Sequence, residues 1–189
     1  FRLFSIMNDR GLKLSNADIL KSSNLEYIPE KSEKAMIAKR WEDIQEDMGD
    51  NFDRFLSYVR TMILRTRPKT NLLDEFEKGI FQKGVISRGK TFFDLVFRAY
   101  DYYCQTIEPE AKDTGYNYVN LVKILKYTYP STDWISVVMF YYSRFKTARL
   151  YEFTSKMIHK NIADIICGSI PTTRIENLNK IIGAIKKSQ

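Results

Sequence analysis

The sequence predicts an all-α protein, an irregular bundle of about seven to nine helices. Apolar residues recur every three to four positions over most of the chain, which is the period of a helix. The 189 residues include only 8 glycines and 5 prolines, fewer than a turn-rich β fold requires. No stretch shows the alternating pattern of a strand.

Turn and capping residues place the first elements. Phe1–Met7 is typical of the end of a helix, and the turn at Asn8–Gly11 follows it, so we expect a fragment of a longer protein. Ser15 and Asp18 have the spacing of a capping box, which predicts a helix from there to about Leu25.

The next helix is predicted to begin at Pro29, because proline is tolerated in a first helical turn, and to end at Gly49. Asp50 or Asn51 caps a further helix that closes before Pro68. The buried stripe predicted for the helix after Pro29 is Ala35, Met36, Ala38, Trp41 and Ile44.

The rest of the chain alternates helices with breakers. Gly168 is expected to end one helix, and Pro171 separates it from a last helix that Thr173 and Glu176 begin with a second capping box. The other predicted helices are 71–82, 91–107, 116–127, 134–142 and 148–167, with polar loops at 83–90 and 108–115.

Composition narrows the class of protein. Cys104 and Cys167 each follow apolar residues, and we expect both to be reduced core residues of a cytoplasmic protein. No run of about 18 apolar residues exists, so no membrane span is predicted. The net charge is +7, and residues 113–189 hold 11 basic and 5 acidic side chains. This excess indicates an anionic partner, nucleic acid first, or else a solvated lysine-rich surface.

Residues 84–91 fit the P-loop expression, with Gly84, Gly89, Lys90 and Thr91 at the motif positions. In a P-loop the backbone N–H groups surround phosphates, the lysine reaches the outer phosphates and the hydroxyl holds Mg²⁺. That site needs a preceding strand, but the residues before Gly84 have a helical pattern. We therefore interpret the match as a chance one in a loop, with nucleotide binding as the alternative.

Two other candidate sites have simpler explanations. His159 is the only histidine, so a zinc pair of histidines cannot form, and we expect a surface or half-buried structural residue. Four acidic residues form two pairs, each spaced by one helical turn, and basic residues precede them, which predicts a solvated face. That group is Glu42, Asp43, Glu46 and Asp47. No cofactor or metal is predicted for the chain.

Five basic residues form the candidate nucleic-acid contact. Three of them, Arg149, Lys156 and Lys160, are spaced by seven and four positions and are predicted to share one helix face. Such a face can contact a phosphate backbone, although Glu152 lies among them and weakens the field. The set is Arg144, Lys146, Arg149, Lys156 and Lys160.

The N-terminal segment reads FRLFSIMNDRGLKLSNADILK. It resembles the signature F-x-x-x-N-x-x-G-x-x-L-s-x-x-D-l-l-K of the GmrSD-like family, also called domain of unknown function 262. Segments 71–76 and 166–179 are more loosely similar to later parts of that family. The matching signature positions are Phe4, Asn8, Gly11, Leu14, Ser15, Asp18, Leu20 and Lys21.

The resemblance implies a ParB/sulfiredoxin-like N-terminal domain that ends within residues 1–28, and a helical domain over 29–189. Many members add a C-terminal H-N-H nuclease, and the family includes type IV restriction enzymes and other anti-phage nucleases that act on modified DNA. The nucleotide-hydrolysing motif would precede residue 1 and the nuclease motif would follow residue 189, so no catalytic residue carries over. The resemblance assigns a structural role to Asn8, Gly11, Leu14, Ser15 and Asp18.

The resulting expectation is a non-catalytic helical region that links nucleotide-handling and effector domains of a defence protein and contacts DNA. Its expected partners are DNA, the flanking domains of the same protein and a second copy of the chain, without a membrane. Two alternatives stay open: a nucleotide-binding protein that uses residues 84–91, and a structural or oligomerisation module.

Overall fold

The computed structural model describes residues 15–187, in which all regular structure is helical. Because those residues contain no strand, the predicted all-α fold is confirmed. Eight of their α-helices have ten or more residues, and none is long and apolar enough to span a bilayer. The α-helices are α1 (Asn16–Leu25), α2 (Lys31–Met48), α3 (Phe52–Leu64), α4 (Leu72–Asp74), α5 (Lys90–Ile107), α6 (Ala111–Thr114), α7 (Tyr116–Thr128), α8 (Trp134–Phe145), α9 (Leu150–Ile166) and α10 (Pro171–Lys187).

The chain forms two compact units. The first combines Phe1–Ser57, of which residues 15 onward are described, with Thr70–Leu95, and the second combines Tyr58–Lys69 with Val96–Gln189. Two of the three divisions therefore fall inside α3 and α5, and the third, between Lys69 and Thr70, falls in the segment between α3 and α4. The domain boundary expected after residue 28 lies inside the first unit.

The start of α1 has the predicted capping box. The Ser15 hydroxyl accepts a hydrogen bond from the Asp18 N–H at 3.1 Å, and the Asp18 carboxylate accepts one from the Ser15 N–H at 3.2 Å. The reciprocal pair satisfies two backbone donors at the start of the helix, as the spacing of these residues predicted. The predicted helix end at Phe1–Met7, the turn at Asn8–Gly11 and the signature residue Leu14 lie outside the described residues.

The first unit has an aromatic core around α2. Trp41 is fully buried, and its ring lies 5.1 Å from the Phe52 ring and 5.5 Å from the Phe93 ring, in edge-on geometry. The predicted stripe is wrong at Ala35 and Met36, which are exposed because α2 turns a different face to the core. That buried face consists of Ile37, Trp41, Ile44 and Met48.

The predicted start of α2 at Pro29 is also wrong. Glu30 is the N-cap, and its carboxylate accepts hydrogen bonds from the backbone N–H groups of Ser32, at 2.9 Å, and Glu33. Proline lies just outside the helix because the carboxylate satisfies the donors of the first turn. A hydrogen bond from the Ser32 hydroxyl, followed by these two backbone bonds, lowers the pKa of Glu30.

The prediction of an α-helix over 71–82 is wrong in its second part, which is a π-helix. After α4, residues Glu75–Phe81 form a π-helix, with backbone bonds such as Gln82 N–H to the Glu77 carbonyl at 2.9 Å. The wider turn buries Glu75 beside apolar neighbours, and its carboxylate accepts a hydrogen bond from the Thr70 N–H at 3.0 Å.

The second unit is built around α8, whose first seven residues are all buried. This helix contacts α9 and α10, and α9 also contacts α7. The predicted capping box of the last helix is wrong: α10 begins at Pro171, so Thr173 already lies in the first turn and cannot be the N-cap. One turn of helix, α6, lies in the segment that was expected to be a polar loop.

The two cysteines differ in their exposure. Cys104 is half-buried, but Cys167 is exposed, so its prediction as a core residue is wrong. Cys167 is the C-cap of α9, where the chain leaves the helix and turns towards solvent. Gly168 follows it at a φ of 76°, in the left-handed conformation that was predicted to end this helix.

Candidate nucleic-acid interface

The positive charge of the chain belongs to the second unit. That unit contains 17 basic and 8 acidic side chains, a net charge of +9, whereas the first contains 13 and 15, a net charge of −2. The sequence predicted a weaker contrast, because the basic segment 58–69 lies far along the chain from the rest of the unit that it joins.

Three of the predicted contact residues lie where α8 ends and α9 begins. Arg144, Lys146 and Arg149 are exposed, and the Arg144 guanidinium lies 5.7 Å from the centre of the Phe140 ring. Arg149 is the N-cap of α9 in a left-handed conformation, and it pairs with Glu152 at 2.7 Å. Because Arg149 precedes the helix, the prediction that it shares one helical face with Lys156 and Lys160 is wrong.

The other two predicted residues lie on α9. Lys156 and Lys160 are exposed and one helical turn apart. Lys160 pairs with Asp164 at 2.9 Å, and the same carboxylate accepts a hydrogen bond from Asn177 of α10 at 3.1 Å. Part of the positive field of Lys160 is therefore offset, whereas Lys156 presents its charge on an exposed face.

A groove of about 700 Å³ in the second unit is lined by aromatic, basic, acidic and neutral polar side chains. We call it the tyrosine groove. At its wall the Lys146 ammonium lies 4.9 Å from the centre of the Tyr102 ring and 5.4 Å from that of the Tyr142 ring. The two rings are 5.9 Å apart and tilted by 59°. The groove is lined by Arg98, Asp101, Tyr102, Gln105, Lys112, Asp113, Tyr142, Lys146 and Thr147.

Tyr142 is the tyrosine of this groove whose titration is shifted. Burial, followed by the negative charge of Asp113, raises the pKa of Tyr142 above its ordinary value. Its hydroxyl therefore keeps its proton and can donate a hydrogen bond. The groove thus combines aromatic faces, hydroxyl donors, three cations and two carboxylates.

Lys146 has an unusual backbone. It is the C-cap of α8 with a φ of 54° and a ψ of −133°, in a region that glycine fills more readily than residues with a side chain. A strained backbone at a charged residue in a groove is a feature of binding sites. The other non-glycine residues with a positive φ within residues 15–187 are Arg65 and Arg149.

The P-loop-like segment belongs to the first unit, where a π-helix rather than a strand precedes Gly84. Its amide at Gly89 already donates to the side-chain oxygen of Asn24 at 3.2 Å. Lys90 pairs with Glu33, and Thr91 is exposed in the first turn of α5. The strand that a P-loop requires before its first glycine is therefore missing here. The Gly89 N–H and the Lys90 ammonium, which would contact phosphates in a P-loop, instead bind Asn24 and Glu33.

The glycines of this segment serve the fold. Gly84 has a φ of 63° and makes a turn after the π-helix. Gly89 has a φ of 77°, and a Cβ atom there would lie 3.0 Å from the Cβ of Tyr27. The next residue back, Arg88, pairs with Glu77 and lies 4.5 Å from the centre of the Phe81 ring. Packing therefore explains why these residue types occur together.

His159 and the acidic group of α2 are on the surface. His159 is exposed, as expected. Of the acidic residues, Glu42 pairs with Lys21 and Asp43 with Lys39, both at 2.6 Å, which confirms the solvated face. Within residues 15–187, no three His, Cys, Asp or Glu side chains converge as they would around a metal ion.

Sequence reasoning missed most of the tyrosine groove. It identified Lys146 but not its partners Arg98, Tyr102, Lys112 and Tyr142, because these come from α5, α6 and α8. Tyrosines on a helical stripe are usually core residues, and only the tertiary structure shows that these rings border a groove. Comparisons with protein-family models, with curated proteins and with solved structures found no match to this chain.

Proposed function

We propose that the second unit is a nucleic-acid-binding module that performs no catalysis of its own. The observation that carries this proposal is the concentration of charge, +9 on one compact unit and −2 on the other. Positive charge gathered in this way attracts phosphates over a distance and releases their counterions on contact. The exposed residues Arg144, Lys146 and Lys156 would make the first contacts.

The resemblance to the GmrSD-like family supports the same class of ligand. In such a protein this chain would be the helical region between a nucleotide-handling domain and an effector nuclease, and it would act in the cytoplasm on DNA. The capping box of Ser15 and Asp18 would then be part of the connection to the preceding domain.

Binding of a labelled DNA at low salt, measured by fluorescence anisotropy, tests the proposal. We expect binding that weakens steeply with added salt and that is lost when Arg144, Lys146 and Lys156 are changed to Glu. A matched triple change of exposed basic residues in the first unit, at Lys31, Arg54 and Lys83, should leave the affinity within about twofold. Absence of binding at low salt, or equal loss in both triple variants, would contradict it.

Self-association is a second candidate function. At the end of α9, Ile166 and Ile170 are 79% and 62% exposed, and Ile162 one turn earlier is 38% exposed. Exposed isoleucines that follow one another on a surface are typical of contact sites. Light scattering after size-exclusion chromatography would detect a dimer, and Ile166→Glu with Ile170→Glu should convert it to a monomer; a monomer at all concentrations would exclude this function.

A further inference from the structure

We propose that the tyrosine groove receives one unpaired nucleotide of a single strand, with the base against the tyrosine rings and its phosphate beside Lys146. This inference rests on the proposed function and deepens it, because it assigns a substrate class to one site. Single-stranded nucleic acid would be preferred over a duplex of equal charge. The groove, rather than the surface charge, would make that distinction.

The dimensions fit such a ligand. A groove of about 700 Å³ lies within the range of sites that hold small molecules of nucleotide size. In a duplex the base faces are stacked on their neighbours and cannot reach a side chain in a groove. An unpaired base exposes both faces, and stacking on an aromatic ring is the usual way in which single strands are held.

The side chains supply each interaction that a nucleotide needs. The Tyr102 and Tyr142 rings offer aromatic surface, and the cations at Arg98, Lys112 and Lys146 can neutralise a phosphate. The carboxylate of Asp113 can accept a hydrogen bond from an exocyclic amino group, which favours bases that carry one.

Lys146 connects the two halves of the site. Its ammonium lies within 5.4 Å of both ring centres, so it marks the place where aromatic surface and positive charge coincide. A phosphate placed next to it would lie one sugar away from a base on the neighbouring ring.

The test compares three labelled ligands with the same number of phosphates: oligodeoxyadenylate, the same oligomer made of abasic sites, and a shorter adenine–thymine duplex, which should bind more weakly than the single strand. The wild-type protein should bind the single strand about tenfold more tightly than the abasic oligomer, because stacking of one base supplies that difference. Tyr142→Leu should bring this ratio close to one. Tyr127→Leu, a change of a tyrosine that is 87% exposed outside the groove, should keep the ratio.

Each outcome has a distinct meaning. Equal affinity for the abasic oligomer and the single strand, or equal effects of Tyr127→Leu and Tyr142→Leu, would overturn the base-binding site and leave nucleic-acid binding intact. No binding of any of the three ligands at low salt would remove the proposed function as well. If Tyr142→Leu proves unstable by circular dichroism, Tyr102→Leu gives the same comparison from the other ring.

Discussion

Lys146 combines an exposed charge with a backbone that suits glycine. Replacing it with glycine should keep the free energy of unfolding or raise it by up to about 1 kcal/mol, because relief of left-handed strain exceeds the entropy of the new glycine. The same change should weaken nucleic-acid binding. Urea unfolding and anisotropy measure the two effects on one variant.

Two further variants serve as controls. Ala148→Gly, two residues on, introduces glycine where the φ is not positive and should lower the free energy of unfolding by about 0.5–1 kcal/mol. Lys146→Gln removes the charge and keeps the strain, so it should lose binding without gaining stability. A clear loss of stability in Lys146→Gly would show that the lysine serves the fold instead.

Gly84 and Gly89 allow a matched comparison. Both have positive φ values, so Ala at either should cost about 1 kcal/mol of unfolding free energy. Only at Gly89 would the new Cβ also contact Tyr27, at 3.0 Å, and a further loss of about 1 kcal/mol or more is expected there. Thermal unfolding of both variants measures the difference. Equal losses would contradict the close contact, and nucleotide-dependent stabilisation of the wild type would restore the P-loop interpretation.

At the scale of elements, Asp164 joins α9 to α10 through Lys160 and Asn177. The hydrogen bonds from Lys160 and then Asn177 lower the pKa of Asp164 below its ordinary value of 3.8. A carboxylate with a lowered pKa stabilises the folded state above its unfolded pKa, and the contribution disappears as pH falls through the folded value.

The melting temperature of Asp164→Asn should therefore lie below that of the wild type at about pH 7, and the difference should shrink as the pH falls below 3.8, through the lowered pKa of Asp164. The control is Glu176→Gln, an exposed acid on α10, which should not reproduce the convergence. A gap that does not narrow at any pH below 3.8 at which the protein stays folded would mean that the carboxylate contributes through packing and not through its charge.

The helices could be predicted from the sequence because their signals are local. The spacing of apolar residues, the capping box at Ser15 and the glycines at 49 and 168 act within a few residues of themselves. The predictions failed where a more distant partner decides the structure. Met36 looks apolar enough for the core, but Trp41 and its aromatic neighbours fix which face of α2 is buried. The π-helix over Glu75–Phe81 likewise shares its apolar spacing with an ordinary α-helix, so the local pattern does not distinguish the two.

The candidate site was predictable in its charge and not in its shape. Arg144, Lys146, Lys156 and Lys160 are close in sequence, so their positive charge is visible directly. The tyrosine groove requires α5, α6 and α8 to meet, and no local pattern records that meeting. The helical face expected for Arg149 failed because the residue lies in the left-handed conformation before α9.

At the scale of the whole molecule, the charge of the second unit should set the salt dependence of binding. The logarithm of the affinity falls linearly with the logarithm of salt concentration, and the slope measures the phosphates neutralised. Arg144→Gln with Lys156→Gln should reduce that slope by about one per residue. The same change at Lys31 and Lys83 of the first unit should keep it, and an identical slope in all proteins would place the contacts elsewhere.

Each unit is formed by two separate segments of the chain, and this constrains when each unit can fold during synthesis. When Ser57 has left the ribosome, only part of the first unit has been synthesised, because its second segment ends at Leu95. Synthesis runs at about 5–20 residues per second, so the early helices wait several seconds for their partners. The segment 58–69 waits longer still, with the buried Arg60 exposed until later helices emerge. Nascent chains halted before residue 95 should therefore be degraded by proteases that spare the finished protein.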